Sequence, residues 1–170
     1  MPMDNIPDTV VIAITGVPGT GKTTIAKALA EKLHAKHIDL SEFAKSNDKY
    51  IVEYDEVFQT YVVDEDKVLR DIEELIRKNP GKYVIDGHFS HLLSSDIVDL
   101  VVHLKADPND LYRRLSQRNY PYHKIWENIW AMNLGIIDEE IEDQMFRRVL
   151  VFNTSEKSVD EIVSEIMSQL

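Results

Sequence analysis

Gly16-Val17-Pro18-Gly19-Thr20-Gly21-Lys22-Thr23 is the stretch that decides how this chain folds. Two glycines five positions apart, followed at once by Lys and Thr, make the Walker A phosphate-binding pattern. Each fixed residue has a chemical reason. Glycines let successive backbone N–H groups turn toward phosphate oxygens with no Cβ in the way. Lys22 can reach β- and γ-phosphates, and the Thr23 hydroxyl can ligate a Mg²⁺ ion. The helix that follows points the positive end of its dipole at the same anion.

The flanks match the motif. Val10-Val11-Ile12-Ala13-Ile14 is a continuous apolar run of buried-strand type. From Thr23 to His34, Ile25, Leu29 and Leu33 recur every four residues, and Ala26, Ala28 and Ala30 add helix propensity. Strand, glycine loop, helix is the order that phosphate binding requires.

Farther along, His37-Ile38-Asp39-Leu40 reads as a short second strand, with Ser41 placed to cap a short helix after it. Residues 47–61 are polar and aromatic with no clear period, a long insertion of the kind that is often functional in an α/β domain. Asp64 to Asn79 is helical, capped by Asp64 and ended by Pro80-Gly81. Tyr83-Val84-Ile85 and Leu100 to Leu104 are further strands, and Asp107-Pro108 opens the helix behind the second of these. A turn and helical region spans residues 119–143, then Val149 to Phe152 forms a fifth strand. Ser158-Val159-Asp160-Glu161 is a capping box for the last helix. Alternating strands and helices predict an α/β fold of P-loop NTPase type, a five-stranded parallel sheet with helices on both faces. Ligands then bind beyond the carboxyl ends of the strands.

Bulk composition narrows the function classes. At 170 residues the chain has the length of one domain and buries a core without staples. It has no Cys, so neither a disulfide framework nor a thiolate site is available. No apolar run approaches the roughly 20 residues of a membrane span. Residues 1–9 lack signal-peptide character and read as a short disordered lead-in, so a soluble protein of the cytoplasm is expected. Nineteen Lys and Arg stand against 30 Asp and Glu, a net charge of −11. Such a surface repels nucleic acid and suits either solubility or a basic protein partner.

A second cluster of chemistry follows the third strand. Asp86 closes an apolar strand, the arrangement that holds a carboxylate beside Mg²⁺. His88 and His91 come next; each can position a water or a phosphate, or serve as a buried hydrogen-bonding residue. Arg114 and Arg118 lie one helical turn apart, so both can face one site where a migrating phosphoryl group needs cations. Arg113 beside them makes a basic cluster in an acidic chain. Trp126 and Trp130 fit core or interface better than base stacking.

Three segments together, Gly16 to Thr24, Val84-Ile-Asp-Gly-His-Phe-Ser-His91 and Leu111-Tyr-Arg-Arg-Leu-Ser-Gln-Arg-Asn-Tyr120, resemble the small adenylate kinases related to the coilin-interacting nuclear ATPase. This is the adenylate kinase isoenzyme 6 family, and the Asp-Gly-His-x-Ser-His form is similar to its archaeal members. The resemblance implies a nucleoside monophosphate kinase fold in a single domain, with an NMP-binding insertion at about residues 38–61 and a short lid at about 117–127. It implies ATP binding by Gly19, Gly21, Lys22, Thr23, Thr24 and Arg118, and metal organisation by Thr23 and Asp86. Catalytic roles fall on Lys22, Asp86, His88, Arg114 and Arg118. The implied reaction is Mg²⁺-dependent transfer from ATP to AMP or another NMP, with ATPase activity. A role in small ribosomal subunit maturation through a basic ribosomal protein is also implied. Three positions depart from the family pattern. Asn119 stands where Gly is usual, and Asn tolerates left-handed backbone angles. Trp130 and Asn133 stand where Gln or Glu is common. Rival readings are an ATP-driven assembly factor and another small-molecule kinase on the same scaffold. A GTPase switch lacks its Asn-Lys-x-Asp motif here.

Overall fold

The central strand of the sheet is the apolar run before the glycine loop. In a computed structural model, which describes residues 6–57 and 59–170, all six residues of β1 (Val10–Thr15) are buried. Its alternate side chains feed two separate cores. Val11 and Ala13 join one cluster; Val10, Ile12 and Ile14 join the other. A strand buried on both faces needs this continuous apolar sequence.

Around β1 the sheet order is β2 (Lys36–Asp39), β5 (Lys82–Asp86), β1, β6 (Leu100–Lys105), β7 (Val149–Asn153), with every pair parallel. The five-stranded parallel sheet expected from the sequence is therefore present. One core holds residues of α1 (Lys22–Leu33) and α7 (Val159–Ser168). The other holds residues of α2 (Leu40–Lys45), α3 (Glu65–Lys78), α4 (Pro108–Gln117), α5 (Tyr122–Asn133) and α6 (Ile136–Gln144). Parallel strands ending at one edge bring the ends of β1, β2 and β5 side by side, and the candidate site grows there.

Most helix ends follow the sequence. Asp64 caps α3 by accepting from Lys67 N at 3.1 Å, and Ser158 with Glu161 forms the capping box of α7. The start of α2 differs. Asp39, not Ser41, is its cap, accepting from the backbone N–H of Ser41 at 2.9 Å and of Glu42 at 3.2 Å. Asp107 sits at the cap of α4 with Pro108 behind it, but its carboxylate accepts from Asn153 Nδ2 at 2.9 Å instead of from α4. That bond ties α4 to the end of β7.

Residues 47–61 carry a 3₁₀ turn (Asp48–Tyr50) and, from Ile51 on, an antiparallel hairpin of β3 (Ile51–Asp55) and β4 (Thr60–Val63). Neither strand buries a whole face, which is why no alternation marks them in the sequence. The lead-in expected over residues 1–9 lies outside the described residues for 1–5. Ile6 is buried in the core beneath α1 and α7, while Pro7 to Thr9 are exposed before β1 begins. Trp126 and Trp130 are 39% and 63% exposed, which removes the core reading for both. Trp126 instead contacts the rings of Tyr112 and Tyr122 at the surface.

Candidate active site

The glycine loop turns between β1 and α1 with backbone angles that most side chains resist. Gly16 (φ 151°) passes so close to β6 that a Cβ would meet Leu104 O at 2.5 Å. Gly19 (φ 89°) lies against α4, where a Cβ would stand 2.8 Å from Leu111 Cδ1. Only glycine allows both the angle and the approach. Gly21, also left-handed, is the N-cap of α1 and leaves the first N–H groups of that helix without a side-chain cap. An anion can fill that role.

Two cavities flank this loop. The first, about 410 Å³, lies between the loop, α4 and the segment leading into α7. Gly19, Gly21, Thr24, Arg114 and Arg118 all line it. The second, about 570 Å³, opens between Lys22, Thr23, Asp86, His88, the strand β4 and the start of α5. Arg118 lines both cavities. The sequence-predicted residues thus converge on one edge of the sheet but divide between two compartments, and only Arg118 borders both.

Arg114 and Arg118 do different work. Arg114 spends its guanidinium on the protein: Nη1 donates to Gly19 O at 3.2 Å and Thr154 Oγ1 at 2.8 Å, and Nη2 donates to Thr154 O at 3.2 Å. Thr154 Oγ1 in turn reaches Thr20 O at 3.0 Å. The loop is therefore braced from outside by a fork that matches its carbonyls. Arg118 makes no side-chain hydrogen bond among the described residues. Asn119 beside it has φ 58°, the left-handed angle that the usual Gly would take without cost. Arg113 does not join the pair; it faces solvent and binds Asp110 at 2.9 Å.

Lys22 Nζ donates to Val17 O at 3.0 Å. Burial lowers its pKa from 10.5 to about 8, with Asp86 opposing that shift and Arg118 adding to it. A buried ammonium with one carbonyl partner is poised for a stronger anion. Asp86 is 2% exposed and each of its carboxylate oxygens accepts one hydrogen bond. Oδ1 accepts from Thr23 Oγ1 at 3.2 Å, and Oδ2 accepts from His37 Nε2. Burial raises the Asp86 pKa and Asp39 pushes in the same direction, while His37 and Thr23 pull it down. The hydroxyl of Thr23 and the carboxylate of Asp86 are hard oxygen donors of the kind Mg²⁺ takes, with phosphate and water completing the shell. No cluster of three or more His, Asp or Glu able to hold a metal alone exists among the described residues.

The two histidines after Asp86 separate. His88 is half exposed, lines the second cavity and stands 3.7 Å from Glu65. His91 is buried, with Nδ1 2.7 Å from Thr15 Oγ1 and Nε2 lacking a hydrogen bond. His91 Nε2 stands 3.6 Å from Glu140, so His91 serves the core and His88 the cavity. His91 takes the buried hydrogen-bonding role left open for it, while sequence reasoning missed the parts played by His37, Thr154, Thr15 and His103. Each depends on strand register or on contacts across more than 40 positions, and no local pattern marks them.

Comparison with known proteins fits this geometry. The AAA domain family model matches residues 12–145. A "Putative adenylate kinase" of Saccharolobus islandicus is 36% identical over 159 residues, covering 94% of this chain and 82% of that protein. The chain belongs to the adenylate kinase isoenzyme 6 family. A Schizosaccharomyces pombe member, "Adenylate kinase isoenzyme 6 homolog", is 39% identical over 155 residues, 91% of this chain and 86% of that protein. The shikimate kinase of Acinetobacter baumannii, solved with shikimate, superposes with a TM-score of 0.68 at 14% identity, covering 99% of this chain and 96% of that one. At that identity the likeness establishes a shared P-loop kinase fold. No helix among the described residues is long and apolar enough to cross a membrane.

Proposed function

We propose that this protein is an adenylate kinase, moving the γ-phosphoryl group of ATP to AMP and back. The single observation that carries the reading is the pair of cavities meeting at Arg118, with Lys22 facing the second, one cavity for a donor and one for an acceptor. The names of the relatives support it. The acceptor wall would be the insertion at about 38–61, and the lid would run over about 117–127.

In this reading the backbone from Gly16 to Thr24 cradles the donor phosphates, and Lys22 leaves Val17 O for a phosphate oxygen. Thr23 and Asp86 would hold Mg²⁺, which neutralises phosphate charge when bound. An oxygen of the AMP phosphate attacks the γ-phosphorus while the bond to the β–γ bridging oxygen breaks, leaving two ADP and no covalent enzyme intermediate. Arg118 supplies positive charge to the equatorial oxygens from between the cavities. Arg114 keeps the loop in shape. Closure of the lid excludes water, so that AMP and not water receives the group. His88, on the acceptor side, is the residue placed to orient water or a phosphate oxygen.

Family resemblance extends the reading to ATP hydrolysis without acceptor, and to small ribosomal subunit maturation in the cytoplasm through a basic ribosomal protein. The net charge of −11 supports a basic partner and disfavours direct nucleic-acid binding. The test is ADP formation from ATP with and without AMP, CMP, UMP, GMP and shikimate. Strong dependence on AMP is expected. Hydrolysis indifferent to every acceptor but stimulated by a basic ribosomal protein would instead favour an assembly ATPase.

A further inference from the structure

β2 lies at the edge of the sheet beside β5, with His37 opposite Val84 and Asp39 opposite Asp86. Side chains two positions apart on a strand share a face. His37 and Asp39 therefore share the face that Asp86 uses, one diagonal to it and one directly across. The direct neighbour is a carboxylate, and like charges directly opposite on adjacent strands destabilise each other. Asp39 cannot turn into a donor, and its Oδ1 already serves the N–H groups of Ser41 and Glu42. Diagonal neighbours lie within reach of a long side chain. His37 uses that reach, and its Nε2 meets Asp86 Oδ2.

Asp86 is almost wholly buried, so each oxygen needs a donor from the protein. Thr23 serves Oδ1 at 3.2 Å. Among the described residues His37 alone serves Oδ2. Without it, Oδ2 becomes a buried acceptor beside a second carboxylate. The rotation of the carboxylate that relieves this also carries Oδ1 away from Thr23.

We propose that His37 is a positioning residue for the magnesium-loaded nucleotide: by donating to Asp86 Oδ2 it locks the carboxylate with Oδ1 turned toward Thr23. His37 lines neither cavity; it acts through Asp86. Donors behind a ligating carboxylate or imidazole commonly tune metal affinity 10–100-fold. The proposal rests on the reading of Thr23 and Asp86 as the metal-organising pair, and is independent of which acceptor is used.

The test compares the full chain with His37→Leu, His37→Gln and His37→Asn. Gln can place an amide N–H where Nε2 stands, whereas Asn is one methylene too short. Binding of a non-hydrolysable ATP analogue is measured calorimetrically with magnesium and with EDTA, and thermal unfolding checks each variant. In His37→Leu and His37→Asn the gain in affinity brought by magnesium should shrink about tenfold or more, while affinity in EDTA stays at the parent value. His37→Gln should recover most of that gain. In turnover assays kcat should fall in the Leu and Asn variants, the magnesium requirement should rise, and KM for AMP should hold. An unchanged magnesium gain in His37→Leu and His37→Asn overturns the proposal. So does a folded His37→Gln variant as impaired as Asn, or a parent protein to which magnesium brings no gain. If no acceptor is phosphorylated, the kinase reading fails, yet the magnesium gain still decides the role of His37.

Discussion

The two cavities are built from opposite materials. On the donor side the walls are braced: Arg114 grips Gly19 and Thr154, Thr154 grips Thr20, and Leu111 and Leu115 pack behind Gly19. On the acceptor side the outer wall is a two-stranded hairpin with Tyr54 and Tyr61 about half exposed and stacked edge to face at 5.1 Å. A hairpin of two strands has little stability of its own. The donor half is thus preorganised for a shape every nucleoside triphosphate shares. On the proposed function the acceptor half would be completed by closure on its ligand, and preference among acceptors would reside there.

The largest expected effect strikes the boundary between the halves. Lys22→Met should lower turnover by on the order of 10²–10³ if the ammonium stabilises the migrating group. The same change should raise the melting temperature of the nucleotide-free protein. In the fold the Lys22 pKa drops to about 8 from 10.5, so below pH 8 the native state carries an ammonium that burial disfavours. Stability of the parent should therefore climb as pH rises from 8 toward 10.5, where the unfolded chain holds a proton that the native one has released. Lys22→Met should lose that rise. Unfolding curves at pH 7 and pH 10 read both effects.

Next comes the split between the two arginines. Arg118→Ala should reduce kcat about 10²-fold with the unfolding midpoint in denaturant unchanged. Arg114→Ala should instead cost about 1–3 kcal/mol of stability by leaving Gly19 O and Thr154 short of a donor, and should weaken ATP binding. If both variants behaved alike, the distinction between a brace and a catalytic cation would collapse.

A smaller effect is expected on the soft side. Tyr61→Ala should raise KM for AMP several-fold while KM for ATP and stability, within about 0.5 kcal/mol, stay put. Steady-state kinetics varying each substrate separates the two constants.

Smallest is a pH effect behind the loop. Burial lowers the pKa of His103 from 6.5 to about 4; Lys105, His91 and Lys22 add to the shift, and Asp138 opposes it. Between pH 6.5 and 4 the unfolded chain binds a proton here that the native chain refuses. Stability should fall as pH drops through that window and level off below it. His103→Gln should show a shallower fall over the same interval in chemical denaturation.

The donor half was legible because its chemistry is local. Glycine spacing, an apolar strand and an alanine-rich helix are contiguous, and Asp86 needs only a strand before it. Asn119 shows the same locality: a residue tolerant of left-handed angles stands where the backbone takes one. The acceptor half was bracketed but not resolved, since a hairpin exposed on both faces leaves no alternation to read. His37 was invisible for another reason. Its partner is set by the register of β2 on β5, which no single stretch encodes. The cap of α2 fell to Asp39 over Ser41 because the chain enters the helix two residues earlier than Ser41 suggested. Both residues can cap; only the strand end decides between them.

The most direct test of two cavities joined for transfer is the fate of the terminal phosphate itself. ATP labelled at the γ-phosphorus is incubated with the protein, magnesium and unlabelled AMP, and the products are separated early in the reaction. Transfer between the cavities past Arg118 predicts label in the β-position of ADP, with little as free phosphate. Label released entirely as inorganic phosphate, at a rate untouched by AMP, would contradict it.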